Sequence, residues 1–236
     1  MSKTCIQQIW RYRTGTWARI SDALAAEETL KIYLDGEFLR ALPFLPENHE
    51  LLVLGYLFNE GLISAHHEVE TFTVDLARNE ARVTRSRLEA RPPFATVLSL
   101  MEPVLSPEAV LRLAAVLSED QLFRETGAVH CGLLARQDSI LFSTEDTGRL
   151  NLLDKLAGFA LKENLAPEEL VLVFSGRLTG EAMSRVARMK IPVIVSPAAP
   201  TSRGLEIAAA EGITAIGFTR DKRFNVYTHP QRVESG

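Results

Sequence analysis

Near its C-terminal end the chain reads GFTRDKRFNVYTHP, residues 217–230, a stretch whose side chains suit an anion. Arg220, Lys222 and Arg223 would neutralise a diphosphate, and Phe218 or Phe224 could stack on a flat ring, with Thr219 and Asp221 as polar neighbours. Tyr227 and His229 adjoin the turn. A second cluster, EDTGRLNLLDK at 145–155, is read as a helix start. There Gly148 permits close backbone approach and Arg149 offers a planar donor fork beside exposed N–H groups. Glu145 and Asp146 would accept from the paired N–H donors of a 2-amino-4-oxo heterocycle such as guanine or pterin. The bland alternative is that Asp146 or Thr147 merely caps the helix.

A third stretch, TGAVHCG at 126–132, has glycines at P-loop spacing, but Leu133 stands where a lysine is required, so there is no Walker site. His130 and Cys131 are adjacent, which invites a nucleophile–base pair. On a strand such neighbours point to opposite faces and do not share a proton. Cys131 is expected to be a small buried hydrophobe and a poor thiol candidate; His130, on the other face, is the polar site candidate.

These groups need a scaffold. TLKIYLDGEFLRAL alternates about Asp35-Gly36, a hairpin with type I′ turn chemistry. ENHELLVLGYLFNEG has helical spacing and stops at Gly61. VETFTVDLARNEARVTRS reads as a hairpin turning near Asn79. Pro92-Pro93 and Pro103 set a boundary between a β-rich N-terminal subdomain with one helix, residues 1–103, and an α/β domain, residues 104–236. In the second part Ser106 is an N-cap with Pro107 after it. A hairpin at 128–143 turns at RQDS, followed by a helix from about Thr147. Then come strand LVLVF, a helix at 178–189 with Leu178, Ala182, Val186 and Met189 on one face, strand PVIVS, a helix from about Thr201, and strand TAIGF. This alternation predicts a mostly parallel sheet covered on both sides. Ligands sit at the carboxyl ends of such strands, where SGR (Ser175 and Arg177), SPAAPTS and FTRDKR fall.

Composition narrows the class. The net charge is −4 with a pI near 5.8, which argues against general nucleic-acid binding and makes any anion site local. The longest apolar run, Leu51 to Phe58, is too short to span a bilayer, and MSKTCIQQIW lacks a secretion signal, so a cytoplasmic protein without membrane contact is expected. Cys5 and Cys131 alone make neither a disulfide framework nor a zinc site.

The segments AEETLKIYLDGE, LGYLFNEGLI, TGAVH, EDTGRLNLLDKLAG, SGRLTGEAM, APTSRGLEIA and GFTRDKRFNVYTHP occur in collinear order over roughly residues 25–230. Together they resemble the FdhD family, the formate dehydrogenase accessory sulfur carriers. The resemblance implies a cytidine-deaminase-like, three-layer α/β C-terminal domain, a homodimer, and formate dehydrogenase and a cysteine desulfurase as partners. It implies delivery of sulfur to the molybdenum bis(molybdopterin guanine dinucleotide) cofactor, bound as client, with the turn from Phe218 to Arg223 touching it. The fold name raises zinc-dependent deamination as a rival. That chemistry needs H-x-E and P-C-x-x-C; here the matching helix starts read EDTGR and SGRLTGE, so no zinc is expected. Two departures stand out. The family's C-G-x-C-type motif, where the persulfide rides, is replaced by RSRLEARPPFATVLSLMEPVLSPEAV without a cysteine, and Leu150 stands where histidine is common. Neither remaining thiol suits a carrier: Cys5 lies in an N-terminal stretch expected to be poorly ordered, and Cys131 in an apolar strand.

Overall fold

The computed structural model of the chain describes residues 2–86, 105–220 and 222–234. The boundary placed at Pro92-Pro93 and Pro103, and most of the cysteine-free stretch, lie outside the described residues, as does Asp221.

The first element is one the sequence reading did not anticipate. β1 (Thr4–Arg13) and β2 (Thr16–Ala25) pair antiparallel along their whole length as a two-stranded sheet. Cys5 therefore sits in a paired strand opposite Leu24, not in a loose terminus. The expected hairpin follows as β3 (Glu28–Leu34) and β4 (Glu37–Phe44), with Asp35 at φ 52° and Gly36 at φ 89°, the two left-handed residues of a type I′ turn. α1 (His49–Asn59) stops before Gly61, whose φ is 77°. β5 (Val69–Asp75) and β6 (Glu80–Arg85) complete a four-stranded sheet in the order β4-β3-β6-β5.

The second part opens with α2 (Pro107–Val116), where Ser106 Oγ accepts from Ala109 N at 3.2 Å. α3 (Gln121–Thr126) leads into β7 (His130–Arg136) and β8 (Ser139–Asp146). Then come α4 (Arg149–Lys162), β9 (Leu170–Phe174), α5 (Gly180–Met189), β10 (Val193–Val195) and α6 (Ser202–Ala210). β11 (Thr214–Arg220) and β12 (Arg223–Val226) end the series. The six-stranded sheet runs β12-β11-β10-β9-β7-β8. The expectation of a mostly parallel sheet needs correcting. Only β9–β10 and β10–β11 are parallel, while β7–β9, β7–β8 and β11–β12 are antiparallel. The cause is local: tight turns after Arg136 and Arg220 return the chain as hairpins, which cannot give parallel neighbours.

Strand alternation divides the core between the two sheet faces. Val171 and Val173 face Ala109, Val110 and Leu113 of α2, whereas Leu172 and Phe174 face Leu152 and Leu156 of α4 and Met183 of α5. Helices thus cover both faces of the sheet, the three-layer α/β arrangement expected. The same cluster continues through α1 to Leu30, Ile32 and Phe44, so the two parts of the chain share one core. The end of the chain returns to the start of the second part: Leu105 and Val233 form a parallel bridge, with Leu105 N donating to Arg232 O at 3.3 Å and Glu234 N to Leu105 O at 3.0 Å.

What joins the two parts is a close helix crossing. A Cβ on Gly55 of α1 would collide with the Asp154 carbonyl of α4, and one on Gly158 would collide with the Leu51 carbonyl. Beside the crossing, Asp154 is buried and accepts from Asn59 Nδ2 at 2.7 Å and Arg185 Nε at 2.9 Å, tying α1, α4 and α5 together. A second buried contact joins Asp146 to Lys155 at 2.7 Å, both side chains fully enclosed. Lys155 Nζ also donates to the carbonyls of Glu145 and Leu45, at 3.0 and 3.4 Å. Replacing Gly158 by alanine should force the helices apart at a cost of about 3 kcal/mol, lowering the melting temperature by roughly 10 °C. A calorimetric scan of Gly158→Ala checks this; an unchanged transition would mean that the crossing tolerates separation.

Candidate functional site

A cavity of about 890 Å³ opens beside the carboxyl ends of β9, β10 and β11, within the size range of small-molecule sites. Its floor is apolar, formed by Leu111, Ala115 and Leu117 from α2 and the turn after it, with Phe123 from α3. Its rim is polar: His130 at the start of β7, Ser175 after β9, and Thr219, Arg220 and Lys222 where β11 turns into β12. The antiparallel run of β7 is what brings His130, from the beginning of its strand, to the carboxyl ends of the parallel ones.

Five expected site residues therefore converge. Ser175 Oγ accepts from Cys131 N at 3.0 Å and lies 3.3 Å from His130 Nδ1. Burial, and then the nearby Arg149 guanidinium, holds His130 below the ordinary histidine range, against the opposing pull of Asp146. The ring is consequently neutral at pH 7, a hydrogen-bonding group and not a cation. Thr219 is 6% exposed and its hydroxyl oxygen has no hydrogen-bond partner among the described residues. A buried, unpaired hydroxyl costs about 1–3 kcal/mol, and this one lines the cavity. Arg220 and Lys222 are exposed at the rim, and the Arg220 guanidinium lies 5.7 Å from the Phe218 ring centroid.

Other expected residues are placed elsewhere. Asp146 is enclosed with Lys155, and its carboxylate also accepts from Gly148 N, Asn151 Nδ2 and Leu45 N. It has no edge left for a heterocycle, and it does not cap α4. The N-cap is Gly148, with no side-chain cap, so the helix starts two residues later than expected. A Cβ on Gly148 would press on the Asn151 side chain, which makes this glycine a packing requirement. Glu145 is paired with Lys3 at 2.6 Å. Arg149 reaches Glu181 at 3.6 Å and acts on the cavity only through its field at His130. Arg177 is exposed, and Arg223 is exposed on β12; neither lines the cavity. Phe224 packs against the α2-side core and is not free to stack on a ligand. His229 Nε2 lies 3.0 Å from the Ala209 carbonyl, at the end of α6.

Cys131 is 3% exposed and packs in the α2-side core, on the face opposite His130. Burial first, then hydrogen-bonded contact with the Asp120 carboxylate and the charge of Glu145, pushes its thiol far above the ordinary range. Neither its enclosure nor the charges around it favour the thiolate. The sequence reading missed the cavity floor: the apolar spacing in α2 was legible, but nothing marked Leu111, Ala115 and Leu117 as facing a void.

This is a mixed α/β protein with a ligand-sized cavity where its parallel strands end. The comparisons make the assignment specific. Residues 25–101 and 94–234 match the FdhD/NarQ family, and the chain belongs to that family. The protein named sulfur carrier protein FdhD from Shouchella clausii is 34% identical over 256 residues, covering 97% of this chain and 96% of its own. The protein of the same name from Bacillus subtilis is 31% identical over 255 residues, covering 98% and 97%. The crystal structure assigned to a formate dehydrogenase accessory protein from Desulfotalea psychrophila superposes with a TM-score of 0.87 at 25% identity, over 99% of this chain and all of that one.

The two cysteines should be chemically unlike. With an aromatic disulfide reagent, one thiol per native chain, Cys5, should react promptly, and Cys131 only after denaturation. Cys5→Ser should abolish the prompt reaction; rapid labelling of both thiols in the native protein would contradict the burial of Cys131.

Proposed function

We propose that this chain is a formate dehydrogenase accessory protein that takes the molybdenum bis(molybdopterin guanine dinucleotide) cofactor as client, by a guanine nucleotide end, in the cytoplasm. The observation that carries the reading is the convergence of Arg220, Lys222, Thr219, Ser175 and His130 on one apolar-floored cavity. The two cations suit the diphosphate, the floor of α2 and α3 suits a flat ring, and the neutral imidazole and two hydroxyls suit its polar edge. The client is then supported in sulfuration and delivered to formate dehydrogenase, with a cysteine desulfurase as the sulfur source.

A second reading is favoured by a specific observation. Cys131 is enclosed, and the sequence between Ser86 and Val110 holds no cysteine. On this reading the chain holds and hands on the cofactor while sulfur passes through another protein's thiol. Intact-mass analysis after incubation with a cysteine desulfurase and labelled cysteine separates the two. We expect no stoichiometric gain of a sulfur atom; a gain on Cys131, abolished by Cys131→Ser, would restore sulfur transfer to this chain.

Binding itself is tested with GDP by calorimetry. Arg220→Ala together with Lys222→Ala should weaken affinity at least tenfold, since charge-assisted hydrogen bonds contribute about 1.5–3 kcal/mol each. Thr219→Val keeps the branched shape and removes only the unpaired hydroxyl. It should weaken GDP binding severalfold without lowering the melting temperature. Unchanged affinity in all these variants would remove the cavity from the nucleotide site.

A further inference from the structure

The antiparallel ladder between β7 and β9 ends with a side chain in place of its next rung. Its last paired residues are Gly132 and Phe174. One residue further, Ser175 N donates to Cys131 O at 2.9 Å, and Cys131 N donates back to Ser175 Oγ at 3.0 Å. This closed pair of bonds fixes the serine rotamer and gives the buried amide of Cys131 its partner. The same Oγ lies 3.3 Å from His130 Nδ1 and has no third partner among the described residues. His130 Nε2 has no partner among the described residues, and its ring lines the cavity.

We propose that Ser175 is a positioning residue that holds His130 in the tautomer protonated at Nε2, so that the imidazole selects an oxo group on the ligand's ring over an amino group. The inference rests on the nucleotide reading of the cavity and names the group that selects the base. Counting protons gives the assignment. A backbone N–H can only donate, so one lone pair of Ser175 Oγ is filled by Cys131. That bond polarises the hydroxyl and makes its own proton a better donor. Among the described residues, the acceptor within its reach is His130 Nδ1. A neutral imidazole carries one proton, and with Nδ1 accepting, that proton stands on Nε2. Burial and the Arg149 guanidinium keep a second proton off the ring. His130 therefore meets the ligand as an N–H donor, and the rim cations Arg220 and Lys222 are donors as well. At the 6 position guanine presents an acceptor and adenine a donor, which would oppose N–H to N–H. A site built to hydrogen-bond a ligand group rejects an analogue lacking it far more strongly than an apolar pocket rejects an extra methylene.

Two measurements separate this inference from the reading it rests on. The first needs no ligand: nitrogen NMR of the histidine-labelled full-length protein near pH 7, with His130→Gln to identify the signal. The wild type should show a bare Nδ1 and a protonated Nε2, and Ser175→Ala should mix the two tautomers. A proton on Nδ1 in the folded wild type would overturn the proposal, a readout that stands even where the variant fails to fold. The second is calorimetry with GDP, ADP and inosine diphosphate, which keeps the oxo group of guanine and lacks its amino group. The wild type should bind GDP and inosine diphosphate about equally, and ADP at least about tenfold more weakly. In Ser175→Ala that preference should shrink severalfold, and Ser175→Thr, which keeps the hydroxyl, should restore it. Equal affinity for GDP and ADP in the wild type, or an undiminished preference in folded Ser175→Ala, would also overturn the proposal. Should none of the three nucleotides bind, the nucleotide reading fails, and the NMR signal alone then decides for or against the tautomer.

Discussion

The crossing of α1 and α4 is the constraint on which the other arrangements rest. At Gly55 and Gly158 the two helices approach backbone to backbone, closer than any pair of side chains would allow. This short distance lets Leu52 and Leu57 on one helix and Leu153 and Leu156 on the other close into a single cluster with both sheets. The polar contacts around it then become affordable. Asp154 tolerates enclosure because Asn59 and Arg185 reach it, and Asp146 because Lys155, Asn151 and two backbone amides do. Such buried pairs add little net stability against apolar residues of the same shape, but losing either partner strands a charge. They fix how the first residues of α4 meet the end of β8, and so the position from which Arg149 acts on His130.

Much of the fold was legible because local chemistry and global position agree. Asp35-Gly36, Ser106-Pro107, Gly61 and the face of Leu178, Ala182, Val186 and Met189 each signal an element that the structure contains, within one or two residues. The readings that failed depended on information that no short window holds. Asp146 looked like a cap or a ligand because its ion-pair partner, Lys155, lies on the next element, and another of its partners, Leu45, a hundred residues away. Phe224 looked available because its burial depends on α2. The β1–β2 ribbon did carry a signal, alternation about Thr14-Gly15, but its apolar residues face outward, against the pattern that marks a core.

The site shows the same division. That the ends of β9, β10 and β11 would hold ligand-directed turns follows from the general behaviour of open α/β sheets. Which residues of those turns face inward is set by strand alternation and by the irregular register between Gly217 and Arg220. There Phe218 adopts φ 55°, turning Thr219 in and leaving Arg220 at the rim. The adjacency of His130 and Cys131 is resolved by the same geometry: one residue belongs to the cavity and the other to the core.

The bridge between Leu105 and Val233 has a topological meaning. The stretch from the start of α2 to the last described residues leaves from one point and returns to it, so in space it is nearly a closed ring. In such a ring the order of elements along the chain is partly arbitrary: the same packing is reached wherever the ring is opened, provided the opening falls in an exposed turn. The turn at Gln137-Asp138 between β7 and β8 is such a place, exposed on the edge hairpin. Joining the ends near Leu105 and Val233 and opening there would give a rearranged chain with the six strands and the cavity unchanged.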